Sequence, residues 1–223
     1  MRACDEVGID ERLRDLTFRL HGPKRLKTEL LREVRDALHD ATEAYRDGGL
    51  PAREAERRAV ADFGTPGELV PAYQAELAAG ALRGLSRRAL GIAVVLSAGG
   101  DLTWQGSSWS DGGTPPPAGY QLLSASLDAV WLAVAGLALA ILLSGRRAAR
   151  RGRASTPAGR LLGLGLVGTL AFGAVAGTAL FGWSVGLWEA AVTWPPMIVG
   201  AVLAGAAHFS LFRATRSWLT AAR

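Results

Sequence analysis

Apolar positions in the first third of the chain recur at helical spacing. Ile9, Leu13, Leu16 and Leu20 step by 4, 3 and 4, which marks an amphipathic helix ended by His21, Gly22 and Pro23. A second, longer helix is predicted from Pro23 or Lys24. Leu26, Leu30, Val34, Leu38, Ala41 and Tyr45 form its stripe, Lys27, Glu33, Arg35, Asp36, Asp40 and Glu43 lie mostly on the other faces, and Gly48 and Gly49 stop it. Residues 50–64 predict a third helix with Pro51 in its first turn and Ala55, Ala59 and Phe63 on one side. Gly64 suits the left-handed residue that closes it. Thr65 as N-cap, Pro66 at the first helical position and Glu68 three residues after the cap open a fourth helix, carried on by Leu69, Val70, Tyr73 and Leu77. That helix is expected to run through Ala78 to Leu85 into an apolar span.

Beyond residue 88 the pattern changes from striped to continuous. All 25 Lys and Arg lie in residues 2–88, 146–160 and 213–223, so 89–145 and 161–212 carry no basic residue. A bilayer-spanning helix needs about 20 apolar residues, and each block has room for two. The expected fold is all-α: a cytoplasmic four-helix domain over 1–82, then a four-span bundle over 83–223 with spans near 86–104, 121–143, 161–183 and 192–212. The arginines at 83–88, 146–160 and 213–223 place both termini and the middle loop in the cytoplasm by the positive-inside bias, with 105–120 and 184–191 outside. Trp104, Trp109, Trp183, Trp188 and Trp194 all fall at the predicted outer boundary, the level an indole prefers. The Gly, Ser and Pro of 106–120 predict an irregular outer loop.

Charge refines this division. Residues 1–82 hold 16 acids and 13 bases, a net −3, whereas the rest holds 12 bases and four acids, a net +8. The basic character thus belongs to span flanks, which argues against direct nucleic-acid binding. The lone Cys4 excludes an intramolecular disulfide framework or a cysteine-based zinc cluster. The charged N-terminus lacks the apolar core of a cleavable signal peptide, so the first span is expected to serve as export signal.

The candidate chemistry is sparse. The sequence GLGLVG at 163–168 has the glycine spacing of a dinucleotide-binding loop, but it lies inside an apolar run with no preceding strand or turn. Helix packing accounts for it better: Gly159/Gly163, Gly173/Gly177 and Gly182/Gly186 are small-x-x-x-small pairs. Asp101 and Asp128 fall toward the outer ends of their spans without a basic partner in either block. For Asp128 the alternatives are a raised pKa, a water-filled outer dimple, or bonds to Ser124 or Ser126. His208, with no companion at ligand spacing, is expected to make an interhelical hydrogen bond rather than a metal site. His21 and His39 have no nucleophile arrangement around them, and the carboxylates of 1–82 lie on solvated helix faces. No catalytic residue, cofactor or metal is expected, and the first domain is expected to bind protein.

The long helix ending in DATEAYRDGGL, the stretch REAERRAVADFG and the corner FGTPGEL carry a resemblance. Over residues 9–80 the chain resembles permease prefix domain 1 of actinobacterial membrane proteins, itself similar to the helical signalling domain associated with helix-turn-helix regulators. The resemblance implies a domain that precedes membrane spans and accompanies a PadR-type transcriptional regulator. The chain departs from the permease members in having only four spans and a short outer loop, and Pro51 stands where a Ser or Asp cap is usual. The expected function is a regulatory protein of the inner membrane, responsive to envelope or lipid state and able to form homo-oligomers. Phe63, Gly64, Thr65 and Pro66 would give the domain its shape, and Tyr45 and Tyr73 would serve contact or packing. The alternatives are a small transporter or accessory permease subunit with Asp128 as coupling carboxylate, or an assembly factor for another membrane complex.

Overall fold

The computed structural model describes residues 8–104, 117–150, 157–187 and 194–222. Cys4, Trp109, Arg151, Arg153, Trp188, Glu189 and the loop 105–116 lie outside the described residues, as do the side chains of Asp101 and Trp104. The described residues form seven helices and no strand: α1 Ile9–Arg19, α2 Lys24–Asp47, α3 Ala52–Asp62, α4 Pro66–Trp104, α5 Ala118–Arg150, α6 Pro157–Leu187 and α7 Pro195–Ala221. The chain divides into two units, one of Met1–Ala81 with Ser217–Arg223 and one of Leu82–Arg216.

In the first unit the leucine stripes meet. Ile9, Leu13, Leu16 and Leu20 pack with Leu30, Val34 and Leu38 of α2, Val60 of α3 and Leu77 of α4. Burying each leucine stabilises the unit by about 1.5–3 kcal/mol relative to leaving it exposed. Leu26, Phe63, Leu69, Val70 and Tyr73 cover the edges. On α3 the buried face is Ala55, Ala59 and Val60, while Phe63 is only half-buried at the helix end. Val60 was missing from the sequence pattern because it sits next to Ala59, off the strict one-face spacing.

The end of α2 is closed by local chemistry. Gly49 takes φ +91°, Leu50 N–H donates to the Tyr45 carbonyl at 3.1 Å, and Gly49 N–H donates to Arg46 at 2.9 Å. These are the two bonds by which a left-handed residue satisfies the last carbonyls of a helix. α4 then runs unbroken from Pro66 to Trp104.

The second unit obeys a different solvent. α5, α6 and α7 contain three stretches long and apolar enough to cross a membrane, Ala118–Ala148, Ala158–Leu187 and Pro195–Ala221, and only 22%, 17% and 11% of their apolar windows is buried. Leu122, Leu132, Leu161, Val175 and Val202 all point outward. Such a surface is stable against lipid and costly against water. α4 is not among the three, because Arg88 and Asp101 leave only 12 uncharged residues between them.

α5 and α6 pack on each other, with Val130, Trp131, Val134, Ala138 and Ile141 buried on α5 and Leu166, Leu170 and Ala176 buried on α6. The glycine pairs separate here. A Cβ at Gly173 would stand 3.0 Å from Val130 Cγ1, and one at Gly177 would stand 4.0 Å from Leu127 Cδ2. Gly182 and Gly186 face open space, as does Gly159, while Gly163 is buried. The middle pair lies where α5 packs. At one end Tyr120 Oη and Ser184 Oγ are 2.8 Å apart, Ser184 donates to the Leu180 carbonyl at 2.8 Å, and Trp183 meets the Tyr120 ring edge-on at 6.0 Å.

Gly173→Leu should therefore overpack the α5 and α6 contact and destabilise the detergent-solubilised protein by about 1–3 kcal/mol in thermal unfolding. Gly182→Leu, with nothing within 4 Å, should leave the transition where it is.

Candidate functional site

The corner between α3 and α4 is built from its backbone outward. Phe63 caps α3 in a helical conformation, and Gly64 follows at φ +101°, which a residue with a Cβ adopts only with strain. Thr65 then donates both its N–H and its hydroxyl to Glu68 Oε2, at 2.9 and 2.8 Å. The Thr65 hydroxyl is thus a donor to the carboxylate, and the Glu68 N–H goes to the Thr65 carbonyl at 3.1 Å. The Thr65 N–H, aided by the hydroxyl, holds the Glu68 carboxyl below its ordinary range. Pro66 occupies the first position of α4 and sacrifices no helical bond there.

α1 is docked on this corner by two residues that hydrophobic periodicity does not single out. Arg12 Nη1 donates to the Gly64 carbonyl at 2.6 Å, and Glu56 Oε1 accepts the Ile9 N–H at 3.0 Å, capping a helix whose own N-cap, Gly8, has no side chain to do so. Tyr45 ties the end of α2 to the end of α3: its hydroxyl donates to Asp62 Oδ2, which also accepts from Arg58 Nε at 3.2 Å. That hydroxyl, more than the guanidinium, keeps the Asp62 carboxyl below its ordinary value. Tyr73 packs half-buried against the core, and burial together with the charge of Glu76 pushes its hydroxyl up. The corner residues and the two tyrosines thus lie at three places, with Tyr73 against the core. Phe63, Gly64, Thr65 and Pro66 form one corner; Tyr45 spans to Asp62.

A fourth place is absent from the sequence pattern. Gln74 Oε1 accepts the His21 N–H at 2.9 Å, and its Nε2 donates to the His21 and Ala221 carbonyls, both at 2.7 Å. One amide therefore joins the α1–α2 loop, α4 and the end of α7. Gly22 permits the approach: a Cβ there would lie 3.3 Å from Ala221 Cβ and 3.7 Å from Leu77 Cβ, at a φ of +153°. Trp218 and Ala221 are buried, at 2% and 1% exposure.

Asp128 is exposed on the outward surface of α5, with no hydrogen bond to Ser124 or Ser126 among the described residues. Ser126 donates instead to the Leu123 carbonyl at 2.6 Å. His208 Nδ1 lies 2.7 Å from the Ala204 carbonyl of its own helix, and its ring meets Trp131 of α5 edge-on at 5.8 Å. The contact it makes across helices is aromatic, not a hydrogen bond. Asp101 lies in the last turn of α4. Among the described residues no three His, Cys, Asp or Glu side chains gather as metal ligands. His39 is exposed on α2, and His21 Nδ1 lies 2.8 Å from the Arg19 carbonyl.

No family model, curated protein or solved structure matches the chain.

The corner and the Tyr45 bond have a shared signature in acid. Glu68 and Asp62 both have folded pKa values lowered below their unfolded ones. Their contribution is complete at neutral pH and is lost as pH falls from the ordinary carboxylate range through the lowered folded values. Thermal unfolding of the full chain followed by circular dichroism should show the transition falling on the acid side. Glu68→Gln should flatten that fall. An identical pH slope in the variant would mean that the Thr65 bonds contribute nothing. Thr65→Ala, which removes the hydroxyl donor and keeps the N–H bond, should lower the transition at neutral pH in the same measurement.

Proposed function

We propose that the chain is a membrane-anchored regulatory protein whose helical domain binds a protein partner, a PadR-type transcriptional regulator, in response to envelope or membrane state, and catalyses no reaction itself. The observation that carries this reading is that the soluble unit holds both ends of the apolar region. α4 leaves it without a break after Leu77, and the end of α7 is bound back to it by Gln74. A chain that enters and leaves the apolar region on one side crosses an even number of times. With α5, α6 and α7 as three crossings, α4 supplies the fourth, its arginine flank at 83–88 reaching the headgroups. The arginine bias then puts the soluble unit and both termini in the cytoplasm, with the bundle in the inner membrane.

The surface of the soluble unit favours a binding role. Phe18 stands 82% exposed on α1, and the same helix lines a shallow groove of Asp10, Leu13, Arg14, Thr17 and Arg35. An exposed aromatic flanked by arginines is the kind of anchor on which protein interfaces concentrate their energy. The resemblance of residues 9–80 to permease prefix and regulator-associated domains supplies the partner class.

A second reading is an accessory subunit of a permease complex. Asp128 favours it, as an exposed carboxylate on an apolar helix surface without a partner of its own.

Affinity capture of the full chain from native membranes separates the two. Recovery of a winged-helix regulator is expected, lost with Phe18→Ala or Gly64→Val at unchanged membrane abundance. Recovery of transporter subunits alone, lost with Asp128→Asn, would replace the signalling reading by the accessory one.

A further inference from the structure

The residues around Gln74 do more than close a helix end. A glutamine amide offers one carbonyl and two N–H donors, and here it bonds to chain segments that lie 53 and 147 residues away. Two of the three bonds pin the His21 peptide to α4. The third reaches a carbonyl in the final turn of the last helix, and nothing covalent requires that turn to be there. The seat is shaped for it. Gly22 leaves the space that Ala221 Cβ fills, Leu77 Cβ borders the same space, and Trp218, one turn earlier, is buried while its neighbours Leu219 and Thr220 are exposed.

We propose that the last turn of α7, Trp218–Ala221, is a latch bound in cis to the soluble domain, and that its release by strain on α7 is how the state of the bilayer reaches that domain. α7 suits the role because it is one helix, Pro195–Ala221, whose first part is apolar enough to span and whose last turn is seated. A span whose apolar length departs from the local bilayer thickness responds by tilting or shifting. A tilted α7 draws its final carbonyl away from Gln74 and its Ala221 methyl away from Gly22. The freed seat is then a groove beside Leu77 and the His21 loop, sized for one helical turn with a small residue at its tip.

The latch rests on the signalling reading only in that α7 crosses the bilayer. Its test contains no partner, so failure of partner capture and failure of the latch are seen separately. The full chain carrying Cys4→Ser receives a reporter thiol at Ala221→Cys, inside the seat, or at Thr220→Cys, on the exposed side of the same turn. Both are reconstituted in phosphatidylcholine vesicles of short, medium and long acyl chains and reacted with a membrane-impermeant maleimide. In medium-chain vesicles the thiol at 221 should react about tenfold or more slowly than that at 220, a protection of the size that one or two net hydrogen bonds with their packing supply. Mismatched vesicles should raise the rate at 221 severalfold and leave the rate at 220 unchanged. Gln74→Ala should bring the two positions together and abolish the dependence on chain length. Gln74→Glu keeps the acceptor for the His21 N–H and removes both amide donors, so it should free position 221 while the domain stays folded. Equal rates at 220 and 221 in the parent would overturn the seat. A rate at 221 that is slow but insensitive to acyl length would overturn the release and leave a fixed staple. Protection that survives Gln74→Glu would overturn the assignment to this amide.

Discussion

A core only one helix stripe wide governs the first unit. Its buried cluster is nine side chains, most of them leucine, drawn from four helices. A core of that size holds helices side by side but does little to fix their ends, since small domains bury a small share of their surface. The ends are fixed by polar groups at the edge of the core. Glu56 caps α1, Arg12 reaches the Gly64 carbonyl, Tyr45 reaches Asp62, and Gln74 gathers three segments. Each of these bonds satisfies a backbone group or a carboxylate that the short helices would otherwise leave to water. Shape in this domain is a matter of helix termini, and its corner and clamp follow from that.

The same chain solves the opposite problem beyond residue 88. There the helices are apolar all round, so no hydrophobic gain distinguishes one face from another, and closeness of backbone approach decides the packing. Gly173 and Gly177 let Val130 and Leu127 of α5 come in, whereas Gly182 and Gly186 carry the same spacing and face nothing. Polar side chains in this half are closed locally where that is possible. Ser126, Thr169, Thr178, Ser184 and His208 all bond to carbonyls on their own helices. Ser184 extends this to Tyr120 on α5, with Trp183 across the ring. Asp128 has no such bond among the described residues.

α4 and α7 are each single helices that run from one unit into the other. α4 belongs to the leucine core at Leu77 and to the apolar half at Ala89, and α7 ends in a turn that the soluble unit buries. A continuous helix carries movement along its length, whereas a flexible linker would absorb it. Gly64, Gly49 and Gly22 supply the sharp turns elsewhere, and no comparable break interrupts α4 or α7.

The helices were legible in the sequence because their causes are local. Spacing of 3 and 4 places Leu13, Leu16, Leu30, Val34 and Leu38 in the core, the glycines at 48–49 and 64 mark the stops, and Thr65, Pro66 and Glu68 mark a start. The long apolar runs declared α5, α6 and α7 in the same way, and the charges at Arg88 and Asp101 left α4 less apolar than its neighbours. What the tertiary structure alone decided has the opposite character. Glu56 meets Ile9 across 47 residues, Arg12 meets Gly64 across 52, and Gln74 meets Ala221 across 147. A charged or amide side chain on a helix surface looks the same in sequence whether it faces water or a distant backbone group. The choice among three identical glycine spacings, and the inclusion of Val60 in the core, likewise depended on which neighbour arrived from elsewhere in the chain. Local periodicity determines where helices form; only the folded chain determines which of their polar and small residues meet.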